Sequence, residues 1–115
     1  MASLLRDGHV LAPAEIAATA RARRRGLIGR DRVDGAFVLE PCRQIHTFGM
    51  QMPIDVIWRD RGGCVLRITK VAPRRVTRVV WRARSVIEAA EGAARRWELA
   101  VGDRLEVRRD GVEDG

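Results

Sequence analysis

Residues Ile45 to Asp60, reading IHTFGMQMPIDVIWRD, hold the densest set of reactive and hydrogen-bonding side chains in this chain. His46, one of two histidines, stands beside Thr47 and a Gly49-Met50 turn, and Asp55 follows where an apolar strand begins. Glu88 closes another apolar run, Val86-Ile87. If these strand ends meet, an imidazole, a hydroxyl and two carboxylates converge at one rim of a sheet. His46, Thr47, Met50, Asp55 and Glu88 would then line a ligand pocket, with Arg25 and Arg30 facing a small anionic ligand. His46 could also serve as a general base for hydrolysis, oriented by Asp55 or Glu88. Each residue has a purely structural alternative: Asp55 capping the Gly49-Met50 turn, His46 bonded to a backbone carbonyl, Glu88 paired with a neighbouring arginine.

Cys42, His46 and Met50 also form the pattern C-x3-H-x3-M, with Met52 just beyond. Thiolate, imidazole and thioether are the donors that copper prefers. A blue-copper centre needs a second histidine, and only His9 is left. The ligand loop of cupredoxins joins the last two strands, whereas here a long remainder of the chain follows. Casual Cu(I) or Zn(II) binding is the most this spacing supports, so no resident metal or cofactor is expected.

The string Arg74 to Arg84, RRVTRVVWRAR, sets Trp81 among arginines. Arg78, Trp81 and Arg82 would suit RNA, through base stacking beside phosphate contacts. The same string reads as a valine-rich strand whose arginines blunt an exposed sheet edge, or as an anchor for a protein partner. A nucleophile elbow, a phosphate loop and a dinucleotide fingerprint are absent, and Ser3 and Ser85 have no catalytic context.

The elements that must position these groups are legible in outline. Pro13 suits a first helical position, Glu15 favours the positive end of a helix dipole, and Arg21 to Arg25 gather at its negative end. The spacing of Ile16, Ala20 and Leu27 predicts a helix over about 14–25, ended by Gly26 or Gly29. Strands follow. Ala36 to Glu40 is short and apolar. Ile54, Val56 and Trp58 share one face against Asp55 and Arg59, and an Asp60-Arg61-Gly62-Gly63 turn leads into the alternation of Cys64, Leu66 and Ile68. Val76, Val79 and Val80 predict another strand, as do Val86-Ile87 and Leu105 with Val107. Residues 92–99 suit one or two helical turns, and the polar tail 110–115 should fray. One helix followed by short strands predicts an α+β, mainly β protein: an antiparallel β-sandwich or half-barrel with one N-terminal α-helix.

The chain has 115 residues, 46% hydrophobic and 32% charged, which suits a single domain over 1–115 with its core at about 9–109. No apolar run reaches a membrane span, and Arg6, Asp7 and His9 interrupt any signal-like segment, so a cytoplasmic location is expected. The net charge is +7 and the pI about 11.2. Lys70 is the only lysine, and the arginines spread from Arg6 to Arg109. That pattern reads as a general compositional bias giving weak, nonspecific polyanion binding. Cys42 and Cys64 form no close-paired metal motif and are expected to be free thiols.

The ordered pieces Arg25-Gly26-Leu27 with Arg30, Gly35-Ala36-Phe37, His46-Thr47-Phe48-Gly49-Met50, Pro53-Ile54-Asp55-Val56-Ile57, Val86-Ile87-Glu88 with Gly92, and Gly102-Asp103 resemble the DUF192 family of small bacterial and archaeal proteins. The likeness runs from about Ala20 to Val107. It implies a β-rich half-barrel or sandwich carrying one helix, and it implies no catalytic residues. Many members have a Trp-Met-Lys-Asn-Thr type loop where this chain has His46 to Met50, so the resemblance implies no chemistry of His46 shared across the family.

Overall fold

The computed structural model describes residues 2–30 and 32–109; the tail expected to fray lies outside them. The elements in chain order are β1 (Ala2–Arg6), β2 (His9–Ala17), α1 (Ala20–Arg25), β3 (Ala36–Leu39), β4 (Ile54–Arg59), β5 (Val65–Val71), β6 (Ser85–Ala90), α2 (Ala93–Arg96) and β7 (Leu105–Arg109). The seven strands form one sheet in the order β5-β4-β6-β3-β2-β1-β7. The protein is mainly β, as expected, but it is a single curled sheet, and a mixed one, since β2 and β3 run parallel. The two edge strands approach each other at one end only, through the bridge Cys64↔Arg104, so the sheet does not close. No helix among the described residues is long and apolar enough to cross a membrane.

Three expectations change. The helix predicted over 14–25 is only α1, capped by the Thr19 hydroxyl, which accepts from Ala22 N. Ala14 to Ala17 instead extend β2, because Ala2 and Ala36 pair with Ala14 on either side; sheet hydrogen bonds and burial outweigh a weak helical spacing. The strand predicted around Val76 to Val80 is a loop tied to 43–47, with a single bridge His46↔Val76. Its Val76 is exposed, and Val80 packs on the outer core from the loop without a strand. A bulge between Trp58 and Arg59 breaks the simple alternation expected for β5: Leu66 packs on one side of the sheet and Ile68 on the other.

The curl gives the sheet two apolar faces. On the inner one, Leu4, Ala36, Val38, Ile57, Val65, Ile87 and Leu105 pack together, with Trp97 and Leu99 beyond α2 set against them. On the outer one, Phe37, Leu39, Ile54, Val56, Trp58 and Val86 are covered by Leu27, Val33, Ile45 and Met50 from the long connections. A strand that alternates between two buried faces is buried throughout, and every residue of β4 is, including Asp55 and Arg59.

A buried acid beneath an arginine-lined cavity

Glu88 lies in the middle of β6, not at its end as its place after Val86-Ile87 suggested. It pairs in register with Phe37 on one side and Val56 on the other, which turns its side chain to the outer face. There it is 1% exposed, and its Oε1 has no hydrogen-bond partner among the described residues. The turn after α1 runs over this carboxyl. Gly26 has φ +52°, and a Cβ on it would stand 3.6 Å from Glu88 Oε1, so a glycine brings backbone close to the acid.

Over Glu88 is a cavity of about 380 Å³, walled by Gly26, Leu39, Cys42, His46 and the arginines of α1, Arg23 to Arg25. Burial disfavours the carboxylate and pushes the Glu88 carboxyl up to about 7, against the pull of Arg30. Near neutral pH, Glu88 therefore exchanges between an acid that donates and a carboxylate that accepts. The Cys42 thiol donates to Gln44 O at 3.3 Å, and burial pushes its ionisation upward; it is a neutral wall residue. His46 Nδ1 accepts from Phe48 N at 3.3 Å, which leaves the Nε2 side as the donor in the neutral ring.

Of the residues expected to line a site, Glu88, His46 and Arg25 come together at this cavity. Arg30 stands beside it but is engaged, its guanidinium bonded to both Glu15 oxygens at 3.0 and 2.9 Å and lying 5.0 Å from the Phe37 ring centroid. Thr47 is fully buried and does structural work. Its hydroxyl donates to Ala72 O at 2.6 Å and accepts from Arg75 N at 2.9 Å, clasping the 72–84 loop to the 45–50 loop. Met50 belongs to the outer core.

Asp55 is on the wrong face. Its register partner is Ala89, whereas Glu88 pairs with Val56, so the two carboxyls project from opposite sides of the sheet. Asp55 Oδ2 accepts from Gly92 N and Ala94 N at 3.1 and 3.0 Å and caps α2, not the Gly49-Met50 turn. Among the described residues Glu88 makes no ion pair with an arginine, and the His46 side chain bonds to an amide, not a carbonyl.

The C-x3-H-x3-M set separates in the same way. Cys42 and His46 share the cavity wall, but Met50 packs in the core, and no cluster of three or more His, Cys, Asp or Glu suited to a metal occurs among the described residues. Arg78, Trp81 and Arg82 occupy a loop, not a strand face. Trp81 is 78% exposed, with Arg43 Nε donating to its carbonyl.

The sequence reading takes Gly26 as a helix end, Arg23 and Arg24 as helix-end electrostatics, and Cys42 as a free thiol or weak metal donor, and sets none of them in a pocket wall. The signal was an acid inside the apolar run Val86-Ile87-Glu88-Ala89-Ala90, which no solvent-facing position explains.

The fold and the cavity together define a curled, mixed β-sheet domain with a small-molecule-sized recess against its outer face. The chain belongs to the DUF192 family, described as "Uncharacterized ACR", whose profile matches residues 3–107. A protein of unknown function from Novosphingobium aromaticivorans DSM 12444 has the same fold, with a TM-score of 0.77 at 20% identity over 91% of this chain and 82% of that one. A "putative transcription regulator" from Sinorhizobium meliloti 1021 superposes with a TM-score of 0.75 at 20% identity, over 92% of this chain and 91% of that one. No curated protein matches the chain.

Proposed function

We propose that this protein is a small-molecule-binding module whose ligand enters the cavity over Glu88. The observation that carries the reading is Glu88, which lines the cavity and whose buried Oε1 has no partner among the described residues. A buried polar atom without a partner is costly, and a ligand hydroxyl or amine would supply the missing bond. Arg23, Arg24 and Arg25 around the mouth favour an anionic group at the ligand's other end. The ligand class is thus a small anion that also bears a hydroxyl or amino group, with His46 beside it as a positioning donor. A volume of about 380 Å³ lies within the usual span of ligand pockets.

The test is the mass of freshly purified protein under native and then denaturing conditions, followed by NMR titration with small hydroxy and amino acids. Binding that perturbs Gly26, Cys42 and His46 and is lost in Glu88→Leu supports the reading. Retention of every bound component in both Glu88→Gln and Glu88→Leu would sink it.

The hydrolase alternative rests on His46 alone, because its only side-chain hydrogen bond among the described residues comes from Phe48 N. The exposure of Trp81 favours a second reading, contact with RNA through Arg78, Trp81 and Arg82. Arg78→Glu with Arg82→Glu should then lower polyanion affinity and its salt slope, and unchanged values would remove that surface.

A further inference from the structure

At the end of the inner face remote from Asp55, the sheet opens into a cleft of about 860 Å³, with Arg59 at its floor. Arg59 is only 8% exposed. Its Nε donates to Ser85 Oγ at 2.9 Å and its Nη1 to Leu105 O at 3.0 Å, while Nη2 reaches Glu40 Oε1 at 3.5 Å. Glu40 is shared, because Arg84 Nε stands 3.5 Å from its other oxygen. One loosely held carboxylate therefore serves two guanidiniums.

The rest of the cleft adds more cation than anion. Arg61, Arg104 and Arg109 line it and make no ion pair among the described residues. Of the other acids there, Asp60 Oδ1 accepts from the Gly62 and Cys64 amides, and Glu106 is bonded to Arg108, outside the cleft. Arg59, Arg61, Arg84, Arg104 and Arg109 thus face one volume against Glu40, Asp60 and Glu106, which leaves the lining with a net positive charge. The mouth of a curled sheet is also a common seat for ligands.

We infer that this cleft is a second binding site, for a small organic or inorganic polyanion carrying carboxylate or phosphate groups. Its oxygens pair with Arg59 and Arg84 in place of Glu40, and Arg104 closes over the outer end. The site is independent of the Glu88 cavity: Arg59 shares its face with Ser85, and Glu88 lies on the other side of the sheet.

The experiment is an NMR titration of the full chain with pyrophosphate, citrate and, as a neutral control, glucose, at low and high salt. Pyrophosphate and citrate should give saturable shifts at Arg59, Gly63 and Ser85, glucose none, and the stronger of the two oxyanions identifies the head group. Arg84→Glu should weaken binding about tenfold or more. Arg95→Glu makes the same charge change on the exposed side of α2, at the Asp55 end of the sheet, and should leave affinity within about twofold at high salt. Glu40→Gln, which removes the competing carboxylate, should tighten binding severalfold and keeps the test open if Arg84→Glu does not fold. Shifts scattered over all arginine-rich surfaces, equal losses in Arg84→Glu and Arg95→Glu, or weaker binding in Glu40→Gln would each overturn the assignment.

Discussion

The clearest prediction concerns the pH dependence of stability and its removal by Glu88→Gln. Glu88 titrates at about 7 in the folded chain against an ordinary 4.5. Between those values the folded state holds a proton that the unfolded state has released, so stability must fall as pH rises through the window. The benefit of a protonated Glu88 is complete below the unfolded value and gone above the folded one. The full span corresponds to about 3 kcal/mol, of which about 2–3 kcal/mol falls between about pH 5 and about pH 8.5. Glutamine keeps the shape and cannot ionise. Glu88→Gln should therefore be close to the native chain at the acidic end and more stable by that amount at the basic end. Urea unfolding of both proteins at the two pH values reads this directly, because contributions from all other groups cancel in the comparison. A stability difference between the two proteins that is the same at both pH values would refute the account of Glu88 as a desolvated, unpartnered acid.

Other substitutions test the structural roles assigned to residues near the site. Asp55→Ala leaves the Gly92 and Ala94 amides without their acceptor and should cost about 1–3 kcal/mol in thermal or urea unfolding, with Asp55→Asn milder because its carbonyl still accepts. Thr47→Val removes the hydroxyl that joins Ala72 and Arg75; it should lose about 1–3 kcal/mol and speed proteolysis within 72–84, whereas Thr47→Ser should retain the clasp. Gly63→Ala puts a Cβ 2.6 Å from Leu105 O at a φ of +90° and should lower the unfolding midpoint, by about 1–3 kcal/mol for such backbone strain. Trp81→Ser, at a largely solvated position, should leave the stability within about 0.5 kcal/mol.

Where local chemistry decides the structure, the residues could be read in advance. The hairpin of β4 and β5 follows from alternation on either side of Asp60-Arg61-Gly62-Gly63, and its turn is held by the Asp60 carboxylate on two amides. The hairpin of β1 and β2 was equally open to reading, since Asp7 and Gly8 both take positive φ between apolar runs.

What lay beyond reach depends on partners distant in sequence. Nothing within Ala14 to Ala17 announces that Ala36 to Leu39 will pair alongside it. The separation of Asp55 from Glu88 likewise turns on the register Val56↔Glu88: a slip of one residue would have put both acids on one face. Thr47 and His46 are neighbours with different fates, one sealed into a backbone clasp and one facing a cavity, because successive residues of the extended segment bridged at His46↔Val76 turn to opposite sides.

The pairing of β1 with β7 sets an order of events during synthesis. Leu4 is bound on one side by Ala12, available as soon as β2 has emerged, and on the other by Val107, some hundred residues later. The hairpins β1–β2 and β4–β5 can form early, but the sheet lacks a flank until almost the whole described chain is free of the ribosome. Contacts this distant make folding slow and leave a long interval with an unpaired strand. Val10, Val76 and Trp81 stay on the surface even in the finished fold. The nascent chain is therefore the form of this protein most in need of a chaperone, and changes in β7 should affect yield in cells more than they affect the folded molecule.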